Sequence, residues 1–146
     1  MTTSLSPVLS VEELRSFMDE AFPQVNMAGK HFHIDAIADG SCTMRFETGE
    51  AHLRPGGTIS GPAMFTLADY TAYAVILAHI GPVGLAVTTN LNINFLRKPE
   101  PGTLMCEGKI IKLGKRLCVV DAAITKPGND DIIAHATATY SIPPRS

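Results

Sequence analysis

The 42 residues between Arg54 and Arg97, positions 55 to 96, hold a single formal charge, Asp69. Inside that run, Met64, Phe65, Leu67, Ala68, Ala72, Tyr73, Val75, Ile76 and Leu77 pass almost all the way round a helix. A helix apolar on every side is a buried helix. Ser60 or Gly61 can cap it, Pro62 falls in the first turn where a missing N–H does no harm, and the helix runs to about His79. The polar breaks at Thr66, Asp69 and Thr71 count against a membrane span. The remainder of the chain must therefore wrap this helix.

Residues 8 to 22 place Val8, Val11, Leu14, Phe17, Met18, Ala21 and Phe22 at helical spacing, with Ser10 as N-cap and Glu12 and Glu13 in the first turn. His31 to Ala38 and Cys42 to Thr48 alternate around an Asp39-Gly40 turn, which predicts a hairpin. Beyond the long helix, residues 84 to 96, 103 to 113, 117 to 126 and 131 to 141 read as strands. Turns at Pro101-Gly102, Gly114-Lys115 and Pro127 to Asp130 separate them, suggesting an antiparallel meander. The pattern is α+β: an antiparallel sheet of about six strands with the long helix on one face. At 146 residues the chain is one domain, residues 1–29 forming an N-terminal helix and lead-in to the main body at 30–146. One curved sheet of this size cannot cover the whole helix, so a second subunit is expected to complete the burial.

Twelve basic against fourteen acidic residues give a net charge of −2, and basic residues never run longer than a pair such as Lys115-Arg116. Nucleic acid is not an expected partner, and neither is a membrane. The first residues carry no basic segment followed by an apolar core, so the expected location is cytoplasmic. Cys42, Cys106 and Cys118 are odd in number and far apart, which reads as buried free thiols and not as metal ligands.

Asp69 needs an explanation. Asp is a poor helix-interior residue, and burying it unpaired costs on the order of several kcal/mol. It could bond a neighbouring hydroxyl such as Tyr73 or Thr66 and fix helix register, or it could do chemistry. Gly61 stands eight residues earlier, at the helix N-terminus, where unsatisfied N–H groups and the positive dipole end can polarise a carbonyl. Eight residues at ~1.5 Å rise put the two roughly 12 Å apart, too far to serve one reacting atom within a subunit. Across a two-fold dimer they could meet.

The segment Gly61-Pro-Ala-Met-Phe-Thr-Leu-Ala-Asp69 resembles the hotdog-fold acyl-CoA thioesterases of the phenylacetate-degradation type, whose pattern is His-Gly-Gly, four variable residues, then Leu-Ala-Asp. The strand from Val87 to Pro99 is similar to that family's next strand, and Gly114-Lys115-Arg116 falls where a glycine-basic turn is usual. The resemblance covers residues 30 to 140 or so. It implies a sheet wrapped round the long helix, sheets joined edge to edge in a homodimer, and a homotetramer built as a dimer of dimers as the larger option.

The resemblance further implies Asp69 as the catalytic carboxylate, Gly61 N–H as the donor to the thioester oxygen, and Thr88 as an assistant to the water or the carboxylate. On simple strand alternation Thr88 shares a polar face with Asn90, Asn92 and Asn94, and Asn90 is a candidate substrate contact. The family's His is Ser60 here, its second Gly is Pro62, and its Asn is Arg54. Ser60 can act as N-cap or orient the acyl carbonyl, Pro62 removes one N–H, and Arg54 could steer an anionic group. Arg97, Lys98, Lys112, Lys115 and Arg116 are expected to cluster at strand ends, with Arg97, Lys115 and Arg116 on the phosphates of coenzyme A. The expected reaction is acyl-CoA hydrolysis with no metal and no cofactor beyond the coenzyme A of the substrate. A thiolate with a pKa near ~8.5 leaves without a strong general acid, which suits a helix start lacking histidine. A non-catalytic acyl-CoA or lipid-binding hotdog protein is the alternative. A hotdog dehydratase would need a histidine at the helix start.

Overall fold

The computed structural model describes residues 5–27 and 29–144. Its elements are α1 (Val11–Ala21), β1 (Phe32–Ala38), β2 (Ser41–Glu47), α2 (Gly61–Ile80), β3 (Val87–Phe95), β4 (Thr103–Leu113), β5 (Leu117–Thr125) and β6 (Ala134–Ser141). This is the hotdog fold: one six-stranded antiparallel sheet around a long central helix.

Each helix starts where its capping chemistry puts it. Ser10 and Glu13 form a reciprocal box, Glu13 N–H donating to Ser10 Oγ at 3.1 Å and Ser10 N–H to Glu13 Oε1 at 2.9 Å. Ser60 Oγ accepts from Ala63 N–H at 3.2 Å, and Pro62 occupies the first turn of α2. By length and composition α2 is apolar enough to cross a membrane, yet most of it is buried inside this sheet. Its far end is held twice. His79 Nε2 accepts from Gly40 N–H at 2.9 Å, tying α2 to the β1–β2 turn, where Gly40 takes a φ of 73°. The Ala78 carbonyl accepts from Val8 N–H at 2.7 Å, so the lead-in segment closes the helix end.

The strand order is β1-β2-β4-β5-β6-β3. Only β4, β5 and β6 form a meander. β3 does not neighbour β4, as the four-strand reading expected, but lies beyond β6 on the sheet edge, with Phe95 opposite Ala134. The reason lies in residues 96–102, which contain Pro99 and Pro101 and cannot close a tight hairpin. Ile59 N–H donates to the Pro99 carbonyl at 3.0 Å, and Thr48 Oγ1 to the Gly102 carbonyl at 2.6 Å. The link is thereby carried past the start of α2 to deliver Thr103 opposite Glu47 of β2.

The core lies between α2 and the inward residues of the sheet: Phe46, Leu104, Val120 and Ile124 are fully buried against Leu67, Ile76 and Leu77. Gly108 lets the sheet approach closely, since a Cβ there would meet the Thr71 methyl at 3.0 Å. Cys42, Cys106 and Cys118 are free and buried, and burial pushes each thiol up to about 12. One stripe of α2 stays uncovered by this chain, Phe65 being 41% exposed.

Candidate active site

Asp69 sits half-buried in the middle of α2, and its partners are neither Tyr73 nor Thr66. Thr66 bonds back to the Pro62 carbonyl and Tyr73 reaches the Gly84 carbonyl at 3.0 Å. Asp69 Oδ1 accepts instead from Thr88 Oγ1 and from Tyr140 Oη, each at 2.7 Å. Both donors come from the sheet. Burial first, and then the charge of Asp69, push the Tyr140 phenol far up, so it stays a protonated donor.

Thr88 reaches Asp69 because β3 is irregular. Its pairing with β6 steps from Thr88 opposite Tyr140 to Asn90 opposite Thr139, leaving Thr89 as a bulge. Regular alternation would put Thr88 on the face of Asn90, Asn92 and Asn94. The extra residue turns it inward with Tyr140, while Leu91 and Ile93 keep the helix-facing side beyond the bulge. Asn90 points to the opposite face of the sheet and does not join Asp69.

Asp69, Thr88 and Tyr140 wall an open cleft of about 390 Å³ whose other side is aromatic, with Phe22, Tyr70 and Tyr73. Phe22, at the end of α1, meets Tyr70 and Tyr73 edge-on at 5.6 and 5.7 Å between ring centres. Burial raises the Tyr73 phenol, and burial followed by the Asp69 charge raises that of Tyr70.

Gly61 faces a different cleft, of about 360 Å³, shared with Arg54, Met64, Phe95, Arg97 and Lys98. Its N–H is one of the unsatisfied donors at the start of α2. The fit there is close, since a Cβ would lie 3.3 Å from Phe95 Cζ and the ring would have to give by a few tenths of an ångström. The loop before it is tied down: Ser60 N–H donates to the His52 carbonyl at 2.8 Å and Arg54 N–H to the Thr58 carbonyl at 2.8 Å. His52 Nδ1 in turn accepts from Gly49 N–H at 2.8 Å.

The basic residues do not form one cluster. Leu117, Ser141 and Val87 lie side by side across β5, β6 and β3, so Lys115 and Arg116 stand at the end of the sheet where β3 begins. Arg97 donates its N–H to the Ile133 carbonyl at the end where β3 finishes. The length of β6 separates the groups by roughly 25 Å. The expectation treated β3 and β4 as neighbours, and the link that crosses the sheet end parts them.

Within one chain, then, Asp69 and Thr88 share one cleft, Gly61, Arg54 and Arg97 share another, and Ser60 and Pro62 build the helix start between the loop and the second cleft. Tyr140 is the residue that the sequence reading missed. Its signal was present: Ala134, Ala136 and Ala138 are the inward residues of β6, and one large side chain with a polar tip follows them at the same spacing. Among the described residues no group of three or more His, Cys, Asp or Glu is placed to hold a metal ion.

The thioesterase superfamily profile matches residues 56–133. A curated protein of Saccharolobus solfataricus, provisionally named an esterase, is 33% identical over 142 residues, covering 95% of this chain and 89% of its own. A crystal structure from Silicibacter sp. TM1040, provisionally assigned as a thioesterase, is 46% identical with a TM-score of 0.86, covering 96% of both chains. A Streptococcus mutans protein solved bound to acetyl CoA is 26% identical with a TM-score of 0.70, covering 80% of this chain and 91% of its own.

Proposed function

This chain belongs to the thioesterase superfamily, and from that premise we propose that it hydrolyses acyl-CoA thioesters to the free acid and coenzyme A, in a site shared between two subunits. The acetyl CoA bound by the Streptococcus mutans relative supports the substrate class.

The observation that carries the shared site is the position of β3. It is the edge strand, and its two ends carry the two half-sites: Thr88 beside Asp69 at one end, Phe95 against Gly61 at the other. They are seven residues apart, roughly 23 Å. Antiparallel pairing of β3 with the same strand of a second copy lays the start of one against the finish of the other. Asp69 of one protomer then meets Gly61 of its partner, twice per dimer. The same pairing brings Lys115 and Arg116 of one subunit to the end where the partner's chain offers Arg54, Arg97 and Lys98, so the split basic groups rejoin as one rim for the coenzyme phosphates. It also covers the exposed stripe of α2.

In this reading the partner's helix start presents its amide and dipole to the thioester oxygen, stabilising charge as it develops. Asp69 either takes a proton from the water that attacks the carbonyl carbon, or attacks that carbon itself to form a mixed anhydride, which water then hydrolyses to the free acid and the regenerated carboxylate. The C–S bond breaks and the thiolate of coenzyme A leaves. Ser60 caps the helix that supplies the dipole.

A thiol-release assay over short, medium and aromatic acyl-CoAs tests this. The native protein turns over at least one class, and Asp69→Asn, almost the same shape, loses ~1,000-fold or more in kcat. Tight acyl-CoA binding without turnover by the native protein would refute hydrolysis and leave a binding protein.

A further inference from the structure

The geometry points to Tyr140 as a positioning residue that, together with Thr88, occupies Asp69 Oδ1 and so leaves Oδ2 as the oxygen that reacts. This deepens the proposed function and rests on it. Three observations carry the inference.

The first is the asymmetry of the carboxylate. Both hydroxyls converge on Oδ1 at 2.7 Å, and among the described residues Oδ2 has no hydrogen-bond partner while Asp69 stands on the cleft wall. An oxygen holding two donors offers a poor lone pair to water or to a carbonyl carbon. The free oxygen on the same group keeps its own.

The second is how firmly the donors are held. Tyr140 is 2% exposed on the inward face of β6, and its ring stands 6.3 Å from that of Tyr73 on α2, so packing confines the side chain. Its oxygen also lies 3.0 Å from the Asp69 backbone carbonyl, but the phenol has one proton and the charged oxygen is nearer. Thr88 is fixed by the bulge at Thr89, whose own hydroxyl donates to the Thr139 carbonyl at 3.2 Å. A short side chain on a helix turns about two bonds, and two donors from two adjacent strands stop both rotations.

The third is how little of Tyr140 the cleft can use directly. It edges the cleft wall but is 2% exposed, and its hydroxyl is engaged within the group formed with Asp69 and Thr88. Its influence on the reaction passes through the carboxylate.

The experiment measures kcat and KM for Tyr140→Phe, Thr88→Val and the double variant, with Asp69→Asn alongside and melting temperatures for all. Removing one donor to a charged group should cost kcat ~10–100-fold. KM should stay within about threefold of native. The double variant should fall several-fold beyond the product of the single losses, because the second donor holds the carboxylate when the first is gone. Thr88→Val gives a second lever should Tyr140→Phe melt early. Native kcat in Tyr140→Phe with Asp69→Asn inactive would overturn the positioning role and leave the reading of Asp69 standing. So would a loss confined to KM, or single losses that simply multiply. Full activity in Asp69→Asn would overturn both.

Discussion

Hydrogen bonds and packing set the behaviour of single residues here, and for one of them that behaviour depends on pH. Burial first, then the charge of His31, hold His52 below the ordinary 6.5, and its Nδ1 must stay unprotonated to accept from Gly49. A folded-state value lowered in this way gives stability that is complete above pH 6.5. It is lost as pH falls toward the folded value, because the unfolded chain takes up the proton first. The His52 carbonyl holds Ser60, so the start of α2 lies downstream of this ring. Calorimetry at pH 7 and pH 5 should show the melting temperature of the native protein dropping further than that of His52→Gln. Equal drops would mean that His52 does not carry the acid sensitivity. Gly61 makes a steric prediction at the same scale. Gly61→Ala should fold, shift the Phe95 ring by a few tenths of an ångström, and lose activity while Asp69 keeps its partners in a crystal structure.

Elements were legible where local chemistry decides them and illegible where the sheet decides them. The caps at Ser10 and Ser60, the buried α2 and the turn at Gly40 all follow from residues close in sequence. The place of β3 does not, since nothing in a strand states which edge it will join, and the path of the link after it depends on the bond from Ile59 to the Pro99 carbonyl and that from Thr48 to Gly102. The bulge was equally hidden. A single extra residue reverses the face of Thr88, and period-two reading assigns it to the wrong side with no local warning. Deleting Thr89 should therefore restore regular alternation and send Thr88 outward. Activity should fall about as far as in Thr88→Val, with circular dichroism unchanged. Native activity in the deletion would mean that Thr88 does not act from the inner face.

For the whole molecule, the sequence motif pointed to Asp69 and Gly61 as two halves of the proposed site and left their meeting to geometry. Asp69 and Gly61 lie on one helix yet open onto separate clefts in one chain, the basic groups stand at opposite ends of the sheet, and the edge strand β3 runs from one cleft to the other. The proposed antiparallel pairing of two copies would resolve all three at once, and complementation tests it directly. Asp69→Asn and Gly61→Pro homodimers are each expected to be inactive. Mixed dimers, purified with two tags and verified by mass, contain one site with both native residues and should recover about half the native rate per dimer. Verified mixed dimers with no more activity than their parents would contradict a site built from two subunits.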